Sequence, residues 1–341
     1  METLIRKLCA LPGVSSWEDR VRDFLRQAAE PYADELRTDA LGNLIVTKKG
    51  RAAAPGKLLL SAHMDEVGLM VRRITDEGYL KFDTVGDIDR RVLIGKSMLV
   101  GEKAIPGVIG LKAYHLVSRD EEENVPKLDQ FYIDIGAKDK AAAEALVSLG
   151  DAAVFQGAPE GFGDGLLKAR ALGGRIGCAV LLSLLREELP MDCTFVFTAQ
   201  EEVGTRGAFG AAFSVTPEIA LVVDGAPAAD LAGVPEHEQV CALGKGAVLR
   251  TMDKGAIHDR ALFERLRALA DANGIPWQLK GASTGGNDSA AYQRVKTGVR
   301  TAVVSAPVRY LHAPSGVASL SDMEAVLALV RAFIADLAKE V

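Results

Sequence analysis

The sequence predicts an α/β fold, a mostly parallel sheet with helices on both faces, interrupted by a small inserted β domain. Three observations carry that expectation. Through the last half of the chain, short apolar runs alternate with amphipathic helical stretches, the pattern of consecutive βαβ units. Between about residues 67 and 164 the texture changes to short β-like runs divided by glycine, with one polar loop, SRDEEENVPKLDQ. Several apolar runs stop abruptly at His, Asp or Glu, as strands do when their carboxyl ends carry a site.

The elements follow in order. TLIRKLCALPG and SSWEDRVRDFLRQAAEPY read as two helices separated by a Pro-Gly break, with Ser16 three residues before Asp19 as a cap. LGNLIVTKK and KLLLSA read as strands with a turn, RAAAPG, between them, so His63 ends the second. GLMVRRI, GYLKFDTV, SMLVG, GVIGLKA and FYIDIGA are the strands of the insertion. IGCAVLLSLLREEL and RALFERLRALADANG are helical, whereas TFVFTA, IALVV, IPWQLKG and TAVVSA are strands. The closing helix sets Val326, Leu327, Val330, Phe333, Ile334 and Leu337 at helical spacing behind a capping box formed by Ser321 and Glu324. The α/β domain thus comprises residues 1–66 and 165–341, and the inserted β-rich domain residues 67–164.

Composition narrows the function. A chain of 341 residues with 48% hydrophobic and 25% charged residues is globular and long enough for about two domains. Its net charge of −6, without a basic stripe, speaks against nucleic acid or an anionic membrane as partner. Cys9, Cys178, Cys193 and Cys241 form no C-x-x-C pair, which argues against a disulfide framework and a thiolate zinc site and places the protein in a reducing cytoplasm. METLIRKLCALPG lacks the apolar core of an export signal, and no apolar run reaches the length of a membrane span.

The chemistry gathers at the strand ends. KLLLSA runs into His63, TFVFTA into Glu201 and Glu202, IALVV into Asp224, and TAVVSA is followed by His312. In an open α/β sheet such groups meet beyond the carboxyl edge, and imidazole with carboxylate but no thiolate suits zinc, cobalt or manganese. Two His with two carboxylates exceed the needs of one ion and point to a two-metal hydrolase. Neighbouring residues on an extended strand face different ways, so one of Glu201 and Glu202 is expected to bind metal and the other to move protons. Taken singly, a strand-end His is usually structural, an Asp often caps a turn, and a Glu-Glu pair is usually solvated. Their convergence on one edge, and the lack of phosphate-loop, dinucleotide or nucleophile-elbow motifs, favours the metal reading.

The segments LSAHMDEVGLM, FTAQEEVGTRGA, GGNDSA and PVRYLHAPSGVASLSDME resemble the tetrahedral or deblocking aminopeptidases, glutamyl and leucyl aminopeptidase-like metallopeptidases of which some members are labelled endoglucanases. The resemblance extends over nearly the whole chain. It implies a phosphorylase/hydrolase-like catalytic domain, an inserted β domain used in assembly, and dimers that build homo-oligomers up to dodecamers. It further implies removal of N-terminal residues from short peptides by two divalent ions, with His63 and Asp224 on one ion and Glu202 and His312 on the other. Glu201 would be the general base, and Asp65 would orient His63. One position departs from the pattern: Gly173, followed by Gly174, stands where the family places an Asp that bridges the two metals.

Two rivals remain. A glycosidase would need two carboxyls flanking a bond, which neighbouring Glu201 and Glu202 do not obviously supply. A non-catalytic or weakly active paralogue that keeps the assembly and a partial metal site is the reading Gly173 favours. His115 reads as structural or as a contact with a partner subunit, His237 and His258 as loop and helix-start residues, and TGGNDSA as a glycine-rich turn that could let backbone approach a substrate.

Overall fold

The computed structural model describes residues 1–119 and 121–341. Helices α1 (Glu2–Ala10) and α2 (Asp19–Ala29) open the chain, each burying one apolar stripe. Ser16 does not cap α2; at φ +73° it donates its backbone N–H to Glu18, which occupies the N-cap position. Strands β1 (Glu35–Thr38), β2 (Leu44–Lys48) and β3 (Leu58–His63) follow.

The next six strands are β4 (Gly68–Ile74), β5 (Leu80–Val85), β6 (Ser97–Val100), β7 (Ile105–Gly110), β8 (Tyr132–Asp134) and β9 (Ala152–Phe155). They close into a barrel in the order β4-β5-β8-β7-β6-β9, with short helices α3 (Arg119–Glu123) and α4 (Lys140–Glu144) in its connections. Leu69, Val71, Leu80, Phe82, Met98, Ile109, Ile133 and Phe155 fill it as a core of its own. The run AAVF of β9 escapes a reading by period because it is buried throughout, yet it pairs with both β4 and β6 and so removes the two edges an open sheet would expose.

The remaining elements are β10 (Glu160–Gly161), β11 (Leu166–Ala169), α5 (Leu172–Leu185), β12 (Cys193–Thr198), α6 (Arg206–Val215), β13 (Ile219–Ala228) and β14 (Ala247–Leu249). They continue through α7 (Arg260–Ala272), β15 (Trp277–Leu279), α8 (Ser289–Tyr292), β16 (Arg300–Arg309), β17 (Gly316–Ser319) and α9 (Leu320–Leu337). The main sheet runs β1-β2-β12-β3-β13-β16-β17-β11-β10, with β14 on β16 and β15 on β14. It is mixed rather than mostly parallel. Only β12-β3-β13-β16 and the β14–β15 pair run parallel, whereas β1, β2, β10, β11 and β17 pair antiparallel. The links 39–43, 162–165 and 310–315 are too short for the crossover that a parallel neighbour needs. β12 also inserts between β2 and β3, so those two strands do not pair with each other.

Side-chain alternation builds two cores on the two faces of the sheet. Leu58, Leu60 and Ala62 of β3 and Leu221 and Val223 of β13 join a core with α1, α2, α5, α7 and α9. Leu59, Ala220, Val222 and Val303 point to the other side, against Ala208 and Ala212 of α6 and Tyr292 of α8. The Ser321–Glu324 capping box does not form, because α9 starts at Leu320 with Ser319 at its N-cap and Ser321 already inside the first turn.

Helix α5 is buried on nearly every side, which explains its lack of a polar stripe. Its glycines set its distance from the sheet. A β-carbon at Gly174 would lie 2.3 Å from the His63 carbonyl oxygen, and one at Gly177 would lie 2.1 Å from that of Val223. In an exposed helix a Gly→Ala change stabilises by about 0.5–1 kcal/mol. Here the close approach to backbone reverses the sign. Gly177→Ala is expected to lower stability by about 1–3 kcal/mol, read as a lower denaturant midpoint; an unchanged or higher midpoint would contradict this packing.

Candidate functional site

The four parallel strands at the centre of the sheet deliver their polar residues to one edge. His63 is the last residue of β3. Beyond β12, Gln200 at φ +58° turns the chain, so Glu201 and Glu202 sit on a turn and not on an extended strand. Asp224 lies within β13, beside Ser305 of β16, because that strand continues past the run IALVV to Ala228. His312 follows β16 at φ +62°.

The turn changes the expectation for the two glutamates. His63, Glu201 and Glu202 each offer a ligand atom, and those atoms all lie within 4.8 Å of one another. His63 Nε2 is 3.4 Å from Asp224 Oδ1, and His312 Nε2 is 3.2 Å from Glu202 Oε2. The other nitrogen of each ring is held from behind. His63 Nδ1 lies 3.3 Å from Asp65 Oδ1, and His312 Nδ1 lies 3.0 Å from the Asp87 carbonyl oxygen, which leaves both Nε2 atoms for the cluster.

Asp65 holds this arrangement together. Its buried carboxylate accepts the backbone N–H groups of Glu201 and Glu202 at 3.0 Å each and the Ser15 hydroxyl at 2.6 Å, besides facing His63. One carboxylate thereby joins the N-terminal segment, the end of β3 and the turn after β12. Beside it, Glu66 accepts from the Gly13 N–H at 2.9 Å and pairs with the buried Arg170, while Arg175 on α5 donates to the Met64 carbonyl at 2.8 Å.

The cluster has more negative than positive charge. Burial pushes the Glu201 carboxyl well above its usual range, with the nearby Glu202, Asp288 and Asp224 charges adding to the effect and His63 opposing it. Burial alone would pull both imidazoles down. Instead, hydrogen bonds to Asp224 and Asp65 hold His63 well above its ordinary value, and the bond to Glu202 raises His312. A site that draws protons onto its bases in this way is suited to a divalent cation in their place, and its oxygen and nitrogen donors match the ions preferred by carboxylate and imidazole.

Gly173 lies on the same cavity wall. A β-carbon built there would stand 3.8 Å from His63 Nε2 and 3.9 Å from Asp224 Oδ1, with Leu311 Cδ1 at 3.3 Å. A side chain at 173 would therefore enter the cluster, whereas one at 174 would strike the His63 backbone, so the two glycines do different things. The cavity, about 560 Å³, is lined by His63, Glu201, Glu202, Asp224 and His312 together with Gly173 and Asn287.

Asp288 escaped the reading of the sequence. Burial pushes its carboxyl up to about 7, Thr198 donates to its Oδ2 at 2.6 Å, and its Oδ1 has no partner. The available signal was an acid two residues after the Gly285-Gly286 pair in TGGNDSA. His258 is buried 3.6 Å from Asp253, while His115 and His237 are exposed; none of the three lines the cavity.

Comparison with known proteins identifies the family and the fold. A family model described as M42 glutamyl aminopeptidase matches residues 42–329. The chain is 30% identical over 347 residues to the lysyl aminopeptidase of Pyrococcus furiosus, covering 98% of this chain and 96% of that protein. A TET aminopeptidase from a marine sediment thaumarchaeon superposes with a TM-score of 0.93 at 34% identity over 98% of this chain and 95% of its own. The TET1 peptidase of Pyrococcus horikoshii, which can assemble into a tetrahedron or a large octahedral shell, superposes with a TM-score of 0.86 at 35% identity over 97% and 98%.

The Asp65 hub yields a direct test. In Asp65→Asn an amide nitrogen must face a donor that the carboxylate satisfied, and a buried unpaired group costs about 1–3 kcal/mol. Thermal unfolding of the variant is expected to show a loss of that size; an unchanged transition would mean that Asp65 does not hold the turn.

Proposed function

Because the chain belongs to the M42 glutamyl aminopeptidase family, we propose that it is a metal-dependent aminopeptidase removing N-terminal residues from short peptides. The observation that carries this reading is the convergence of His63, Glu201, Glu202, Asp224 and His312 on one cavity with a thiolate-free donor set. In this reading His63 and Asp224 hold one divalent ion and Glu202 and His312 another, drawn from zinc, cobalt or manganese. Such ions polarise the scissile carbonyl and acidify water.

The chain's own residues supply the rest. Glu201, kept basic by burial, takes a proton from the attacking water and delivers it to the leaving amine. Asp65 orients His63, and the Asp87 carbonyl fixes His312. A glycosidase fits less well, since Glu201 and Glu202 place oxygens within 4.8 Å of one another and of His63 rather than on opposite sides of a bond.

A second reading rests on Gly173. Position 173, beside His63 Nε2 and Asp224 Oδ1, offers no carboxylate that could share two ions, which favours a weakly active or non-catalytic paralogue with a partial metal site. The two readings differ in metal affinity and turnover, not in fold. We assign residues 1–66 and 165–341 to the catalytic domain and residues 67–164 to an assembly domain. The barrel region exposes Tyr114 and Leu116, which we take as contact surface of a dimer-based homo-oligomer, up to a dodecamer; the similar TET1 peptidase can assemble into a tetrahedron or a large octahedral shell. Among the described residues no helix is long and apolar enough to cross a membrane. All four cysteines are free and buried, which supports a cytoplasmic setting.

One measurement tests the role of Glu201 and another decides between the readings. Glu201→Gln should retain the bound metal and lower kcat on aminoacyl p-nitroanilides by about 10² or more; metal loss instead would exchange the roles of Glu201 and Glu202. Gly173→Asp should increase both the ions bound per chain and kcat, since a shared carboxylate offsets the repulsion of two dications. Two tightly held ions and full turnover in the unaltered chain would show that the carboxylate is dispensable.

A further inference from the structure

The fold does not hold the five ligand-type side chains equally. Among the described residues, His63, Glu201 and Glu202 are the one set of three such side chains whose ligand atoms all lie within 4.8 Å of one another. The turn at Gln200, φ +58°, brings two neighbouring glutamates to the same imidazole. Asp65 fixes all three, because it accepts the N–H groups of Glu201 and Glu202 at 3.0 Å each and faces His63 Nδ1 at 3.3 Å. Asp224 and His312 are held from elsewhere. Asp224 Oδ1 accepts the Gly225 N–H at 2.6 Å, and the His312 side chain, 33% exposed, rests on the Asp87 carbonyl.

Donor number separates the groups further. His63 with Asp224, and Glu202 with His312, offer two protein donors each, and Gly173 adds none. A catalytic zinc ion takes three protein donors as a rule. His63, Glu201 and Glu202 supply three, one imidazole and two carboxylates. Burial makes the charge on Glu201 costly, and the charges of Glu202, Asp288 and Asp224 nearby add to that cost. A dication among these carboxylates relieves it.

We propose that a first divalent ion is held by His63, Glu201 and Glu202, in a one-ion form without peptidase activity, and that a second ion frees Glu201 for catalysis. This rests on the aminopeptidase reading and adds an order of loading to it. A carboxylate oxygen on a dication is a poor base, so Glu201 takes no proton from water while it is a ligand. Glu202 Oε2 lies 3.2 Å from His312 Nε2, and Asp224 Oδ1 lies 3.4 Å from His63 Nε2, so both pairs are in place for the ligand set assigned above once two ions are present. Metal supply then switches the site between a loaded but silent form and an active one.

Calorimetric titration of the metal-free protein with zinc tests the ligand set without reference to activity. Glu201→Gln and Asp224→Asn each remove one negative charge from the cluster, so the comparison between them cancels the general loss of attraction. Glu201→Gln should weaken the first ion about tenfold or more beyond Asp224→Asn, although at saturating metal it keeps both ions. His312→Gln should leave the first ion unchanged and weaken the second. In the unaltered protein, turnover of leucyl p-nitroanilide should stay near zero up to one ion per chain and rise only with the second. The proposal is overturned if Glu201→Gln costs the first ion no more than Asp224→Asn, if His312→Gln weakens the first ion, or if turnover rises in proportion to it. Should no loading give turnover, the aminopeptidase reading fails, while the calorimetric comparison still decides which residues hold the first ion.

Discussion

A buried carboxylate must find donors, and at Asp65 that requirement organises the site. Ser15, His63 and the backbone of Glu201 and Glu202 come from three separate parts of the chain, and all meet this one side chain. Because the donors include two consecutive backbone N–H groups, Asp65 sets the path of the turn after β12 as well as the tilt of an imidazole. The neighbouring Glu66, tied to Gly13 and Arg170, anchors the N-terminal segment to the same strand end. Removing water from this region strengthens each of these bonds and makes any missing partner costly.

Close packing supplies the second constraint. Gly174 and Gly177 let α5 approach the backbone of His63 and Val223, which brings the start of the helix to the wall of the cavity that holds His63 and Asp224. Gly173 is presented there by the same approach, but its missing side chain would face the cluster instead of the sheet. Packing requires glycine at 174 and 177, whereas position 173 has room for a side chain once Leu311 yields slightly. Glycine at 173 is therefore not a packing need.

The cavity is electrically divided. One part gathers Glu201, Glu202 and Asp224, whose charge raises the proton affinity of His63 and His312 and suits a cation. The other holds Arg250 and Lys280.

Much of this was legible in the sequence. Apolar runs that stop at His63, at Glu201 with Glu202, and before His312 marked both the central strands and the ligand-type residues, because the end of burial and the start of polarity are local properties of the chain. The barrel region stood out for the same reason. The mixed sheet, the insertion of β12 between β2 and β3, and the place of Asp224 inside β13 were not legible, since strand order and register depend on residues far apart in sequence. Asp288 and the Arg250–Lys280 pair were missed because each is an ordinary charged residue until folding buries it. The sequence by itself determined which residue types end which strands, since hydrophobic period and punctuation act within a few residues. Only the tertiary structure decided which charges share a cavity and that Gly173, not Gly174, faces it, because those outcomes follow from the distances at which separate strands and helices pack.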